Sequence, residues 1–462
     1  MRLHLNPVPS QTASPALTAD GGHRPVGYWH ETVSITPGAP LTESLSCDVA
    51  LVGGGFTGLS TAWHLKQYCP DLDIVLLEAA VTGHGASGRN GGFVMPLLGW
   101  DLLYTVEKLG DDGARDAYGL MYDAVAHVKR MVAEHGLDCD LEATGYLLLN
   151  TSAARERRAR RELEAAHRLG FDHEWLESEA LDAYIRSDRF RSGVLDPHPC
   201  VVNPAKLARG MKTLVEALGV RVYEQSPLVE LEEGAPVTLK TERGTVRATQ
   251  VMLALNGYGA ALGFMEARIL PVHTFIVLTE PLRQEQLDAV GWSAKRASLE
   301  SARNLINYFR LTADNRILFG GEDAKLYYGG RHYDRDEAIF DGLKARFREY
   351  FPPLRDVAFT HEWGGILGVS LDMFPSFGSA GNHGNIFYGG GYSGHGVALS
   401  NYAGAFTAPE MLKAAGRQAP GGNPHPFFIG KRPMWLGHDP VRYLGVQAYR
   451  YLLRAQDFIQ GA

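Results

Sequence analysis

Residues 48–58 read Asp-Val-Ala-Leu-Val-Gly-Gly-Gly-Phe-Thr-Gly, a short apolar strand that runs directly into the pattern Gly53-x-Gly55-x-x-Gly58. Gly53 permits a tight turn, Gly55 lets the backbone approach a pyrophosphate, and Gly58 lets the next helix pack against the strand. The helix that begins here points unpaired N–H groups and the positive end of its dipole at the phosphates. The stretch therefore predicts a dinucleotide-binding βαβ unit.

The second strand of this unit, Ile74–Leu77, ends at an acidic residue, Glu78. A carboxylate at that strand end can accept hydrogen bonds from both hydroxyls of an adenosine ribose. Phe56 and Thr57 at the helix start and Ala79 after the acid complete the predicted nucleotide contacts. The alternative is a glycine-rich turn without a ligand, but the acid at the end of the second strand argues against it.

Length and composition are those of an ordinary globular protein. The 462 residues allow two or three domains, and 45% of them are apolar and 21% are charged. The formal charge of −7 argues against a nucleic-acid partner, because there is no basic excess to neutralise phosphates.

Cysteines and apolar runs indicate the compartment. The four cysteines are scattered without a Cys-x-x-Cys spacing, which favours a reducing compartment with neither disulfides nor zinc. The N-terminal residues lack the apolar core of a signal peptide. No uninterrupted apolar run reaches about 18 residues, so we expect no membrane span and a cytoplasmic protein.

Periodicity and turn residues divide the rest of the chain. Residues 1–45, rich in Pro, Ser, Thr and Gly, are predicted to form an arm that Trp29 anchors against the body. Apolar spacing and capping residues predict helices over 101–136, 153–170, 203–219 and 336–350, and strands over 220–232, 237–241, 245–254, 274–279, 304–310 and 385–391.

The order of these elements predicts an α/β protein. A discontinuous Rossmann-type nucleotide-binding domain encloses an inserted α+β domain that is built on a mixed or antiparallel sheet. The expected boundaries are 46–98, 195–258 and 360–412 for the nucleotide-binding domain, 99–194 and 259–359 for the inserted substrate domain, and 413–462 for a C-terminal extension.

Four segments, taken in chain order, resemble one family. They are the Gly53–Gly58 turn with Glu78, Gly85-Ala86-Ser87-Gly88-Arg89-Asn90-Gly91-Gly92, Leu195-Asp196-Pro197 with Val202-Asn203-Pro204, and Gly391-Tyr392-Ser393-Gly394-His395-Gly396-Val397. The chain resembles the glycine oxidase, sarcosine oxidase and D-amino acid oxidase family of FAD-dependent amine oxidoreductases. Within it, the chain looks most like members of the γ-glutamylputrescine oxidase type. The resemblance implies FAD as the cofactor.

The resemblance also assigns contacts along the glycine-rich segment. Ser87 and the backbone N–H groups around Asn90 and Gly91 would donate hydrogen bonds to the flavin oxygens and to N5, with Gly92 in the same run. Arg89 would hold a phosphate or the negative charge of the reduced ring, with a surface salt bridge as the alternative.

A second glycine-rich turn completes the implied flavin site. After Gly391, the run Gly394-His395-Gly396-Val397 opens a helix whose positive end would face the N1–C2=O edge of the flavin. That edge carries the negative charge of the reduced ring, so the helix dipole would raise its electron affinity. Val229 resembles the position whose backbone pairs with adenine.

Two departures from sarcosine oxidases concern the flavin linkage and the substrate. The position of their flavin-linking cysteine falls in a segment that reads Glu362-Trp363-Gly364-Gly365 here, so we expect non-covalent FAD. The lysine that binds the substrate carboxylate in those enzymes is replaced by Ala398, so we expect an amine larger than sarcosine.

Four residues are candidates for contact with the substrate. Tyr308 resembles a tyrosine that faces the substrate over the flavin, with core packing as its alternative. Arg310 and Glu362 could recognise a carboxylate and an ammonium group, although long charged side chains are usually solvated or paired. His395 could act as an acid or base, or could cap the turn. His361 and Glu362 lack a second ligand at helical spacing, so no metal site is predicted.

The function that the resemblance implies is FAD-dependent oxidation of a primary or secondary amine, such as an amino acid or a polyamine conjugate. A hydride passes to flavin N5, the imine hydrolyses, and O₂ reoxidises the flavin with release of peroxide. One alternative is a dehydrogenase that passes electrons to a quinone or a carrier protein. Another is a flavin-binding protein without turnover. Monomer and dimer both stay open.

Overall fold

The computed structural model describes residues 2–4, 25–292, 295–421 and 424–461, so residues 5–24 of the predicted arm lie outside the described residues. The α-helices are α1 (Tyr28–Glu31), α2 (Phe56–Tyr68), α3 (Ala86–Arg89), α4 (Leu102–His135), α5 (Ala153–Leu169), α6 (Ser178–Leu181), α7 (Pro204–Ala217), α8 (Gly257–Ala261), α9 (Gln284–Ala289), α10 (Glu337–Tyr350), α11 (Gly396–Tyr402), α12 (Gly404–Ala414) and α13 (Val441–Ile459).

The strands are β1 (Arg2–His4), β2 (Ser44–Val52), β3 (Ile74–Leu77), β4 (Phe93–Val94), β5 (Tyr146–Asn150), β6 (Glu174–Glu177), β7 (Ser192–Asp196), β8 (Cys200–Val201), β9 (Arg221–Tyr223), β10 (Leu228–Glu232), β11 (Val237–Thr241), β12 (Thr245–Leu253), β13 (Leu270–Thr279), β14 (Ser298–Ser301), β15 (Asn307–Leu311), β16 (Ile317–Gly321), β17 (Phe359–Val369), β18 (Ser376–Ala380) and β19 (Ile386–Gly390).

A nine-stranded sheet carries the βαβ unit that the glycine pattern predicts. Its main path runs β1-β10-β11-β12-β2-β3-β9, and β19 pairs with β12 and β18. β2 lies parallel to β12 and β3, and β12 lies parallel to β19. Apolar side chains of α2, α7 and α12 pack on one face of β2 and β3. The side chains on the other face of these two strands form a second apolar cluster with residues of β10, β11 and β12. Every residue of β3 is buried, as expected for a parallel strand covered on both faces.

An eight-stranded sheet follows the order β17-β13-β16-β15-β14-β5-β7-β6. β14 and β5 are parallel and the other neighbours are antiparallel, so the sheet is mixed. Side chains alternate between its two faces. One face forms an apolar core with α10 through Leu147, Phe275, Leu299, Phe309 and Phe319.

The two sheets and their helices confirm the predicted fold class, with differences in detail. The predicted helix over 101–136 is capped by Asp101 and Gly136, but it is interrupted at Gly110, whose φ of 73° is not helical. β17 pairs with β13 along its whole length and therefore belongs to the eight-stranded sheet. The predicted boundary at residue 360 instead assigned most of this strand to the nucleotide-binding domain.

The arm is anchored by Trp29, which is 2% exposed. Its indole Nε1 donates a hydrogen bond to the carbonyl oxygen of Asn90 at 2.8 Å. The described part of the arm therefore supports the glycine-rich segment after β3. Along the described chain, no helix has the length and apolar character that a membrane-spanning segment needs.

Candidate active site

Close backbone contacts shape the turn that follows β2. A Cβ on Gly58 would lie 2.1 Å from the carbonyl oxygen of Gly53, so only glycine allows α2 to approach the strand so closely. A Cβ on Gly55 would lie 2.8 Å from Ser87 Oγ. The geometry agrees with the glycine roles expected in a nucleotide-binding turn.

Glu78 stands at the end of β3, directly beside this turn. Its carboxylate accepts hydrogen bonds from Gly54 N at 2.7 Å and from Ala80 N at 2.9 Å. Burial raises the pKa of the carboxyl, whereas the two N–H groups favour its ionised form. Ala79 is exposed next to it. An acid therefore lies at the junction of the glycine turn and the second strand, where a ribose contact is predicted.

The glycine-rich segment after β3 lies across the N-terminus of α2. Ser87 Oγ accepts a hydrogen bond from Phe56 N at 3.0 Å. Asn90 fixes the segment from within, because its Oδ1 accepts from Gly92 N at 2.7 Å and its Nδ2 donates to Ser87 O at 2.9 Å. A Cβ on Gly92 would lie 2.1 Å from the carbonyl oxygen of Val202, so the end of the segment packs tightly against the loop before α7.

Arg89 forms an ion pair that is largely buried. Its guanidinium lies 2.5 Å from Asp334 Oδ1, and its side chain is 6% exposed. Nε donates to the carbonyl oxygen of His84 at 2.7 Å, and the indole of Trp363 donates to the carbonyl oxygen of Arg89 at 2.8 Å. The alternative role predicted for Arg89 was a surface salt bridge. In the structure Arg89 does form a salt bridge, but inside the protein rather than on its surface.

The second glycine-rich turn leads into α11, which begins at Gly396. His395 is the N-cap residue, and its Nδ1 is buried without a hydrogen-bond partner among the described residues. Burial lowers the pKa of the imidazole to about 4, so the ring is neutral near pH 7. Tyr392 fixes the turn, because its hydroxyl lies 2.6 Å from Thr57 Oγ1 on α2.

Val229 lies where the pairing between β10 and β11 is irregular. Leu228 pairs with Thr241 and Glu230 pairs with Lys240, so the register shifts across Val229. A bulge of this kind leaves a residue outside the regular ladder of backbone hydrogen bonds. The predicted pairing of this backbone with adenine stays a prediction.

These elements fit a flavin dinucleotide. The glycine turn and Glu78 provide the chemistry for a pyrophosphate and a ribose. The partnerless imidazole nitrogen of His395 is a buried polar atom that a bound polar group would satisfy. His395, Gly394 and Val397 line the same cavity as Asn90 and Gly91, so the two predicted flavin-facing segments meet in space.

Known proteins are similar to this chain over most of its length. Residues 48–409 match the model of the DAO family, described as FAD dependent oxidoreductase. Gamma-glutamylputrescine oxidoreductase from Escherichia coli (strain K12) is 32% identical over 416 residues, which cover 88% of this chain and 93% of that protein. The chain belongs to the DAO family of FAD-dependent oxidoreductases. Its cofactor is FAD, as the resemblance implies.

Proteins with lower sequence identity to this chain support the same family and fold. Glycine oxidase from Pseudomonas aeruginosa is 25% identical over 361 residues, which cover 76% of this chain and 91% of that protein. The crystal structure of glycine oxidase from Geobacillus kaustophilus has a TM-score of 0.69 at 20% sequence identity, covering 84% of this chain and 99% of that one. The same fold therefore occurs in a protein that is only 20% identical in sequence to this chain.

A cavity of about 1670 Å³ connects the two segments that are predicted to face the flavin with the eight-stranded sheet. The sheet contributes residues from β5, β7, β13, β14 and β15 that lie on the face opposite the α10 core. They include Tyr146, Val194, Val272, Thr274, Glu300 and Tyr308.

Tyr308 lies beside the flavin-facing segment within this cavity. A Cβ on Gly91 would lie 3.1 Å from its ring, and the ring meets Phe93 edge to face with centroids 5.6 Å apart. Burial raises the pKa of the phenol, and a hydrogen bond joins its hydroxyl to the side chain of Thr274. The phenol is therefore protonated at neutral pH and available as a donor on the cavity wall.

Two of the predicted substrate contacts have other partners. Arg310 is 1% exposed, and its guanidinium donates to the carbonyl oxygen of Val202 at 2.8 Å. Glu362 pairs with Lys344 at 2.5 Å and with Arg335 at 2.6 Å. Neither side chain is among the described residues that line the cavity. Arg310 instead supports the tight contact at Gly92, and Glu362 belongs to a salt-bridge network.

The C-terminal helix α13 forms part of the cavity wall, which the sequence did not predict. Arg442, Tyr449, Arg450 and Gln456 line the cavity from this helix. The helix lies beyond residue 409, where the match to the family model ends. Neither a motif nor the family resemblance could therefore assign it a role.

Asp457 fixes α13 to the rim of the cavity. It is 2% exposed and lies 2.5 Å from the guanidinium of Arg155 on α5. It also accepts hydrogen bonds from Asn304 N at 2.8 Å and Leu305 N at 3.1 Å. One buried carboxylate therefore joins α13 to α5 and to the loop after β14.

Glu300 and Tyr146 were also missed by sequence reasoning. The tetrapeptide Ser298-Leu299-Glu300-Ser301 forms β14, and alternation places Glu300 on the face opposite Leu299. A glutamate inside a short strand is uncommon, so the sequence already marked Glu300 as a residue on the face away from the core. It could not reveal that the face lines a cavity.

Proposed function

We propose that this chain oxidises a primary or secondary amine with non-covalently bound FAD. The carbon that bears nitrogen gives a hydride to flavin N5, and the imine is then hydrolysed; O₂ reoxidises the cofactor with release of peroxide. The substrate is an amino acid, a polyamine conjugate or a related amino compound. The membership of the DAO family supports the reaction class.

The observation that carries the proposal is the shared cavity. Its lining includes the flavin-facing residues Asn90, Gly91 and His395 together with Tyr308 and Glu300 of the eight-stranded sheet. A substrate held on this sheet therefore lies within reach of the flavin-facing segments. Such positioning is the main contribution that a protein makes to hydride transfer.

The side chains of the cavity orient the substrate and limit contact with water. Val272 and Ile276 provide apolar surface, and the protonated phenol of Tyr308 provides a hydrogen-bond donor. The neutral imidazole of His395 adds no positive charge that would repel a cationic amine. A protonated amine must lose a proton before its carbon can give up a hydride, so the charges around it matter.

The size of the cavity favours a substrate larger than sarcosine. The volume of about 1670 Å³ exceeds that of a small amino acid and also has to accommodate the flavin ring. Ala398, from which the sequence predicted a larger amine, is buried in the apolar core around α11 and is not among the described residues that line the cavity, so the size argument rests on the volume. The relative from Escherichia coli is named for γ-glutamylputrescine, a polyamine conjugate, and this name supports testing that compound first.

Anaerobic flavin bleaching tests the proposed reaction. Purified holoenzyme is mixed with γ-glutamylputrescine, putrescine, larger amino acids, sarcosine and glycine. We expect one of the larger amines to bleach the flavin fastest and air to restore the yellow colour with release of peroxide. Absence of bleaching with every amine would reject the proposal, and sarcosine or glycine as the best substrate would reject its size argument.

Two further measurements refine the result. If the reduced flavin is reoxidised slowly by air but rapidly by a quinone, the protein is a dehydrogenase rather than an oxidase. Acid precipitation is expected to release the flavin into the supernatant, because no cysteine lines the cavity in the described part of the chain. Flavin that stays in the pellet would contradict non-covalent binding.

A further inference from the structure

Glu300 differs from the other acidic side chains of the cavity because it has no cationic partner. No ion pair in the described structure includes it. Each of the other cavity carboxylates lies within 4.0 Å of a basic side chain; they are Asp101, Glu107, Glu162, Asp196 and Asp323.

The sheet register places Glu300 next to the residue that borders the flavin-facing segment. Glu300 pairs with Tyr308 on β15 and with Leu148 on β5, so these three side chains form a row on one face. The hydroxyl of Tyr146, also on β5, donates a hydrogen bond to the Glu300 carboxylate. Two phenol rings and one carboxylate therefore share a continuous patch of the cavity wall.

An ionised carboxylate in such surroundings is unfavourable unless a cation pairs with it. Burial raises the pKa of Glu300 to about 7, and the hydrogen bond from Tyr146 only partly offsets this effect. An ammonium group in the cavity would supply the missing charge. The flanking aromatic rings of Tyr146 and Tyr308 also suit a cation.

We propose that Glu300 binds the substrate in its ammonium form, before the loss of the proton that hydride transfer requires, and is the residue that makes the cavity selective for cationic amines. This inference rests on the proposed function, since it concerns the same cavity. The phenol of Tyr146 positions the carboxylate, and the rings of Tyr146 and Tyr308 border the bound ammonium group. Amines that carry a positive charge are then favoured over neutral molecules of the same shape.

Binding of a charged and a neutral probe tests this role without requiring turnover. Hexylamine and hexanol have similar chains, and anaerobic titration calorimetry of the holoenzyme measures the Kd of each. We expect wild-type protein to bind hexylammonium about 10- to 100-fold more tightly than hexanol. In Glu300→Gln, which keeps an oxygen to accept the Tyr146 hydrogen bond, we expect this preference to disappear.

A matched control separates the role of Glu300 from a general change in charge. Glu107 also borders the cavity, but it is 71% exposed and pairs with Lys108. Glu107→Gln should keep the preference for hexylammonium. The proposal is wrong if wild-type protein does not prefer hexylammonium, or if Glu300→Gln keeps the preference. Both results come from binding measurements and are obtained even if no amine bleaches the flavin. Failure of this proposal can therefore be distinguished from failure of the proposed reaction.

The pH dependence of binding provides an independent signature. Hexylamine stays protonated well above pH 7, as a lysine side chain does. The Kd for hexylammonium in wild-type protein should therefore fall as the pH rises through about 7, when Glu300 ionises. Tyr146 and Tyr308 interact with Glu300, and the carboxylates of Glu162 and Asp196 act on Tyr146. Burial also raises the pKa of Glu162 to about 7, so this residue adds to any titration near that pH. In Glu300→Gln the part of this inflection that Glu300 contributes should be lost, and an inflection of unchanged size would contradict the assignment.

Discussion

The two ends of the active-site region are built in different ways. At the nucleotide end, a single βαβ unit supplies Gly55, Gly58 and Glu78. At the proposed substrate end, Tyr146, Glu300 and Tyr308 come from three strands that meet only through sheet pairing. The backbone determines the first region, and side chains assembled over long distances determine the second. The first should therefore respond sharply to added atoms, and the second to altered charge.

The largest effect is expected for Gly58→Val at the nucleotide end. The new side chain would overlap the carbonyl oxygen of Gly53, only 2.1 Å from the position of a Cβ, and this backbone atom cannot move without opening the turn. We expect loss of bound FAD, or a protein that no longer folds, because such overpacking costs about 1–3 kcal/mol or more. The ratio of flavin to protein absorbance after purification measures the effect.

Gly119→Ala is the control for this substitution. Gly119 lies within α4 and a Cβ there would meet no atom within 4 Å. The flavin content should be unchanged and the free energy of unfolding should rise by about 0.5–1 kcal/mol, because alanine is favoured in helices. Full flavin content in Gly58→Val would contradict this prediction, because it would show that the turn can open to admit the side chain and still bind FAD.

A smaller and more local effect is expected for Asp457→Ala at the substrate end. The substitution leaves the buried guanidinium of Arg155 without its carboxylate and removes the acceptor for two backbone N–H groups. Breaking a buried pair in this way costs about 3–5 kcal/mol, which is enough to release α13. Limited proteolysis should then cut the C-terminal helix, and KM for the amine should rise while FAD stays bound.

Asp112→Ala is the matched control, because Asp112 also pairs with an arginine but is 96% exposed. Exposed pairs contribute only about 0–1 kcal/mol, so neither proteolysis nor KM should change. If Asp457→Ala also loses FAD, then α13 stabilises the whole protein and is more than a wall of the substrate cavity.

The same difference explains what the sequence could reveal. The glycine turn and Glu78 could be predicted, because each residue acts on neighbours in the same βαβ unit and leaves a spacing that can be recognised. Arg310 and Glu362 were plausible from their chemistry, but their partners are the carbonyl oxygen of Val202 and the side chains of Lys344 and Arg335. Which charge meets which partner depends on strand order, and no local pattern encodes it.

Glu300 and α13 illustrate the limit in the opposite direction. The alternation in β14 gives the face on which Glu300 lies, but only the pairing with β5 and β15 places that face beside Tyr146 and Tyr308. The position of α13 depends on Asp457 meeting Arg155, two residues that the sequence separates by most of the chain. Long-range pairs of this kind become visible only in the folded structure.

The smallest effect is expected where the two regions meet, at His395. Because burial lowers the pKa of its imidazole to about 4, the ring is neutral over the range in which the enzyme would be assayed. The rate of flavin reduction should therefore show no inflection from His395 between about pH 6 and pH 8. His395→Asn should lower that rate by less than about 100-fold, below the usual contribution of a general acid or base.

Stability gives a second measurement on His395→Asn. The folded pKa lies below the unfolded value, so the unfolded state binds more protons and the protein loses stability as the pH falls from about 6.5 toward 4. Removing the imidazole removes this contribution, so the drop in Tm between about pH 7 and pH 5 should be smaller in the variant than in wild-type protein. Stopped-flow reduction and thermal unfolding should then agree. A rate loss above about 10⁴-fold, together with an inflection near neutral pH that is present in wild-type protein and absent from the variant, would instead mean that His395 transfers a proton in the reaction.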